Sequence, residues 1–74
     1  MKPHNWLTEL MKARGVTSKQ MAQKINISPS TLWDWEATRW YPSFRYYAAI
    51  GEALDISAEA VAVRVYRSFL ARKR

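Results

Sequence analysis

The chain has 74 residues, a formal charge of +6 from 12 Lys or Arg against 6 Asp or Glu, and no cysteine. That length is one small domain near the lower limit for a single stable core, and the missing cysteines exclude a disulfide scaffold or a thiolate-held zinc. The basic balance favours a polyanionic partner, nucleic acid before an anionic membrane, over a charge that merely aids solubility.

Met1 to Asn5 is a polar lead-in. Asn5 is placed to cap a first helix over about Trp6 to Arg14, with Trp6, Leu7, Leu10 and Met11 at helical spacing. Gly15 follows the basic residues Lys12 and Arg14 as a left-handed stop. Thr17 opens a second helix and Gln20, three residues on, completes a capping box. Met21, Ala22 and Ile25 form its inner stripe. Asn26 sits where a positive φ is expected, a conformation Asn tolerates better than most residues.

Ser28 caps a third helix, and Pro29 takes the first position, where no amide hydrogen is needed. Leu32 and Trp35 face inward, leaving Ser30, Thr31, Trp33 and Asp34 on or near the outer face of a helix ending near Ala37. Thr38 to Pro42 is a loop. Ser43 caps a fourth helix expected to carry Phe44, Tyr47, Ile50 and Leu54 inward. Ser57 caps a fifth, from Ala58 to about Ala71. The whole, residues 1–74, reads as one all-α domain without repeats or linkers.

Two short helices joined by the tight turn Asn26-Ile27-Ser28, over about residues 17–37, are the layout of a helix-turn-helix. Local motifs then carry a resemblance. They are Gly15-Val16-Thr17 leading into Met21-Ala22; Ile27-Ser28 followed by Ser30-Thr31-Leu32; Trp35-Glu36; and Pro42-Ser43 before the helix containing Ala53-Leu54-Asp55-Ile56-Ser57. In this order the chain, over roughly Leu7 to Val61, resembles the Cro/CI repressor type of helix-turn-helix domain, the Xre family. The resemblance implies a five-helix lambda-repressor-like bundle that binds double-stranded operator DNA, usually as a homodimer.

Carried over by position, the base readers would be Pro29, Ser30, Thr31, Trp33 and Asp34. The phosphate contacts would be Ser18, Lys19, Arg39 and Arg45. Two departures stand out. Family readers are often Gln, Arg, Asn or Lys, which can pair bidentately with purine edges. None of these occurs between Ser28 and Thr38. Thr38 also stands where the family often has Gly.

Each candidate has a plainer use. Ser30 and Thr31 could meet base edges or simply solvate and cap the first turn. Asp34 could accept from a cytosine amino group, although a surface acid paired with Arg39 is the favoured reading. Trp33 should be partly exposed. It could pack on thymine methyls or anchor a protein partner, but folding back over the loop beside Trp40 and Tyr41 is preferred. Lys19, Arg39 and Arg45 are phosphate point contacts or solvated charges.

The last helix, about residues 58–72, places Ala58, Val61, Val65 and Phe69 at helical spacing. Part of this stripe closes the bundle. Tyr66, Phe69 and Leu70 have nothing obvious left to cover and are assigned to a dimer face. Arg72-Lys73-Arg74 either reaches phosphate or is a frayed basic tail. His4, with no carboxylate close in sequence, is read as solvated.

No paired carboxylates, Ser/His/Asp arrangement or glycine-rich phosphate loop occurs, so neither an enzyme nor a cofactor, metal or small-molecule substrate is expected. No run reaches the ~18 apolar residues a membrane span needs, and no leader pattern is seen. A cytoplasmic regulator of the phage or mobile-element kind, binding an inverted repeat, is the expectation. The rival is a protein-interaction module on the same fold, using Trp33, Trp40 and Tyr41. A third reading is single-strand binding by stacking on these aromatics.

Overall fold

The computed structural model describes residues 3–73, with Lys73 described in its backbone alone. Helices α1 (Trp6–Ala13), α2 (Ser18–Ile25), α3 (Pro29–Glu36), α4 (Tyr47–Leu54) and α5 (Ala58–Lys73) follow in order, with a short 3-10 turn at Phe44–Tyr46 before α4. The described residues contain no strand, so the all-α, five-helix expectation holds.

Helix starts are set by local side-chain chemistry. Asn5 Oδ1 accepts from the Leu7 amide at 2.9 Å, and the Thr8 hydroxyl accepts from the Asn5 amide at 3.2 Å. Thr17 and Gln20 form the expected reciprocal box at 3.1 and 3.0 Å. Ser28 accepts from the Thr31 amide with Pro29 in the first turn, and Ser57 accepts from the Ala60 amide. Each such bond satisfies one of the amides a helix start leaves unpaired.

Helix ends follow one pattern. Gly15, Asn26, Thr38 and Asp55 adopt positive φ of 67°, 58°, 60° and 58°. In each case the next residue's amide returns to the carbonyl five residues back: Val16 to Met11, Ile27 to Ala22, Arg39 to Asp34 and Ile56 to Gly51, all at 2.9–3.0 Å. These returns satisfy carbonyls that the helix ends would leave unpaired. Three of the four positions lack glycine, and Thr38 is the one β-branched residue among them, the least suited to this backbone.

Leu7 and Met11 from α1, Met21, Ala22 and Ile25 from α2, and Leu32 and Trp35 from α3 meet Ile50 and Leu54 of α4 and Val61 and Val65 of α5 in one core. Burying a large apolar side chain is worth about 1.5–3 kcal/mol, so this set fixes the helix arrangement. Small residues set close approaches. A Cβ at Gly51 would lie 2.5 Å from the Ile56 carbonyl, so the α4–α5 turn passes directly over that helix. Arg14 Nε donates to the Leu54 carbonyl at 2.8 Å and ties α1 to the end of α4.

The fourth helix differs from the expectation. Ser43 makes no side-chain cap bond, and Phe44 is 82% exposed rather than inward. The 3-10 turn is wound more tightly than an α-helix, so it changes the side-chain register before α4 begins. Tyr46 consequently meets Trp35 edge-on, with ring centroids 5.3 Å apart. His4 also departs from its reading as simply solvated: exposed as it is, its Nε2 lies 3.2 Å from Glu9 Oε1. The extended lead-in, turning into α1 at Asn5, brings these side chains together across five residues.

Candidate nucleic-acid interface

The outward side of α3 begins with a hydroxyl cluster. Ser28 Oγ lies 2.8 Å from Thr31 Oγ1 and 3.2 Å from Ser30 Oγ. Pro29 and Ser30 are exposed and Thr31 is half-buried. The cluster offers short donors and acceptors at the helix start without a long purine-pairing side chain.

Trp33 is 46% exposed, as its position between the inward residues Leu32 and Trp35 requires. It does not fold over the loop beside Trp40 and Tyr41. Instead it lines a groove of about 580 Å³ with Pro29 and Glu36 of α3, Ser18 of α2, and Thr8, Met11 and Lys12 of α1. Tyr41 turns the other way and meets Phe69 edge-on at 5.9 Å. Trp40 remains 68% exposed. Among the described residues no ring contact joins Trp33 to Trp40 or Tyr41, so these aromatics are not one cluster.

Asp34 lies 4.0 Å from the Arg39 guanidinium, at the outer limit of an ion pair. An exposed pair at that distance contributes little to stability, so it leaves Arg39 free to exchange partners. Arg45 is exposed, with its guanidinium 5.5 Å from the Tyr46 ring centroid. Lys19 is exposed in the first turn of α2. The Ser18 hydroxyl points to Glu36 Oε2 at 3.4 Å.

Glu36 is the feature the sequence reading missed. It is 7% exposed and accepts from Thr8 at 2.9 Å as well as from Ser18. One carboxylate thus joins α1, α2 and α3 and braces the α3 that the core positions. The signal was present: Glu36 lies four residues after Leu32, on the same inward face.

The loop after α3 is held from both ends of the chain. Asn5 Nδ2 donates to the Trp35 carbonyl at 2.8 Å and to the Thr38 hydroxyl at 3.1 Å. Arg72 donates to the carbonyls of Thr38 and Arg39. Arg72 is therefore not a frayed end. Of its neighbours in the proposed basic tail, the Lys73 side chain and Arg74 lie outside the described residues.

On α5, Tyr66 is 61% exposed and Phe69 and Leu70 are each 44% exposed. Phe69 covers Tyr41 with part of its ring, and Tyr66 is the most open of the three. Among the described residues no group of three or more His, Asp or Glu side chains is placed to hold a metal ion, and no helix is long and apolar enough to cross a membrane.

A capped helix pair braced by a third helix, with short polar side chains outward on its second member, defines a helix-turn-helix bundle. A family model of helix-turn-helix domains matches residues 6–68, and the chain belongs to that family. Comparison with curated proteins and with solved structures gives no match.

Proposed function

We propose that this protein is a sequence-specific, double-stranded DNA-binding transcriptional regulator that presents the start of α3 to the major groove. The observation that carries the reading is the exposed Ser28, Pro29, Ser30 start of α3 on a frame rigidly braced by Glu36. A net charge of +6 supplies the long-range attraction to phosphate. Pro29, Ser30, Thr31, Trp33 and Asp34 would read base edges, thymine methyls and groove shape. Lys19, Arg39 and Arg45 would grip phosphates. The Ser18 hydroxyl would have to leave Glu36 to join them.

The active form would be a homodimer through Tyr66, Phe69 and Leu70 of α5. It would bind an inverted repeat with half-sites roughly 34 Å apart, one helical turn. The resemblance supports a small repressor of the phage or mobile-element kind, acting in the bacterial cytoplasm.

A second reading has its own observation: Trp40 and Phe44 are 68% and 82% exposed on the loop beside α3. Large apolar surface there suits a protein partner or stacking on unpaired bases. Selection from random duplexes, followed by the salt dependence of the winner, separates the readings. A regulator yields an enriched inverted repeat and a steep salt slope. An interaction module yields neither, and a single-strand binder prefers unpaired DNA.

A further inference from the structure

We infer that Arg72 is a positioning residue: from the last turn of α5 it fixes the Thr38–Arg39 backbone and thereby aims the Arg39 guanidinium at DNA. The inference rests on the DNA-binding reading above.

The end of α3 needs such help. Its last turn contains no basic residue, while Asp34 and Glu36 place acidic side chains at the end where the helix dipole is negative. Arg72, 34 residues later in the chain than Thr38, supplies the missing cation. Its Nη1 donates to the Thr38 carbonyl and, at 3.1 Å, to the Arg39 carbonyl. A guanidinium suits this work because its donors are planar and its charge is permanent.

The loop also has a reason to leave this conformation. Thr38 holds a φ of 60°, which a β-branched residue adopts reluctantly. Two groups oppose its release. Asn5 holds the Thr38 hydroxyl from one side, and Arg72 holds the carbonyl from the other. Phe69, three residues before Arg72 on α5, packs on Tyr41 at 5.9 Å and pins the far end of the same loop. The direct tie on the Arg39 side chain, the exposed 4.0 Å approach to Asp34, is too weak to set its direction. The backbone held by Arg72 sets it instead.

The test compares affinity, its salt dependence and loop protection. Arg72→Ala should weaken binding to the selected duplex about five-fold at fixed salt, as the share of correctly set loops falls. The slope of log affinity against log salt should stay at the wild-type value. Arg39→Ala, a lost phosphate contact, should lower that slope by about 0.9.

In the free protein, hydrogen exchange at the Arg39 to Tyr41 amides should be faster in Arg72→Ala. Adding Thr38→Gly to Arg72→Ala should recover only part of the affinity, because glycine adopts this backbone without strain but gives up the Asn5 bond to the Thr38 hydroxyl. Arg72→Lys should fall between wild type and Arg72→Ala.

A slope reduced by about 0.9 in Arg72→Ala with unchanged loop exchange makes Arg72 itself a phosphate contact and overturns the inference. Unchanged affinity and unchanged exchange overturn it as well. If the wild type binds no duplex, the DNA reading fails and the aiming role with it; accelerated loop exchange in Arg72→Ala would still support the clamp.

Discussion

The Thr8 hydroxyl accepts from the Asn5 amide and donates to Glu36, joining the cap of α1 to the inner face of α3. The Ser18 hydroxyl completes the arrangement from α2. One buried carboxylate therefore adds a polar link among three helices that the apolar core already holds together.

Glu36→Ala is expected to lower the unfolding free energy by about 2 kcal/mol, because it removes the acceptor for two hydroxyls and leaves a gap. Glu36→Gln, which keeps one acceptor oxygen and nearly the same volume, should lose about half as much. Urea denaturation of both variants measures the difference. Equal stability of Glu36→Ala and wild type would remove Glu36 as the brace.

The two glycines should respond unequally to alanine. At Gly51 the new Cβ meets the Ile56 carbonyl at 2.5 Å, so Gly51→Ala forces the α4–α5 turn to move. A loss of about 2–3 kcal/mol is expected from such overpacking. At Gly15 nothing lies within 4 Å of the new Cβ, and only the φ of 67° is strained. Gly15→Ala should then lose about 1 kcal/mol, from backbone strain alone. Thermal melts of the pair decide whether space or φ dominates at each site.

On DNA, Arg39→Ala should weaken binding to every duplex alike, whereas Ser30→Ala or Asp34→Ala should alter the ranking of sequences. Binding of each variant to the selected site and to single-base changes of it provides the comparison. A uniform loss in Ser30→Ala and Asp34→Ala would remove them from base reading.

The dimer assignment is tested at Leu70, which is 44% exposed. Leu70→Glu should be monomeric in sedimentation. Its affinity for the full inverted repeat should fall on the order of a hundred-fold while half-site affinity stays unchanged, since linked half-sites act through effective concentration. A wild-type monomer at all concentrations, bound to a single half-site, would end the dimer claim.

What the sequence disclosed and what it hid divide by distance along the chain. As caps, Asn5, Thr17, Ser28 and Ser57 act within three residues of themselves, so the helix starts are readable. Gly15 and Asn26 likewise act on their own helices. The inward stripes were readable too, because helical periodicity places Met21, Ala22, Ile25, Leu32 and Trp35 on one side. Phe44 was misplaced because a 3-10 turn replaces the first α-helical turn, and Ser43 gives no local sign of it.

The links Glu36–Thr8, Arg72–Thr38 and Phe69–Tyr41 arise only when distant segments pack, and no local spacing encodes them. The same applies to Trp33. Its exposure followed from helical spacing, but the groove it lines is assembled from three helices.

The double hold on Thr38 has a kinetic consequence. Asn5 lies 33 residues before it and Arg72 lies 34 after it, so two bonds close the chain into loops of nearly equal length meeting at its midpoint. Single helices form from near neighbours in about a microsecond or less, whereas each of these closures must bring distant segments together. The closures are therefore expected late in folding. Arg72→Ala should speed unfolding while leaving the refolding rate nearly unchanged, which stopped-flow chevrons can show. On that outcome the segment beside α3 would be set last as the chain folds and released first as it opens.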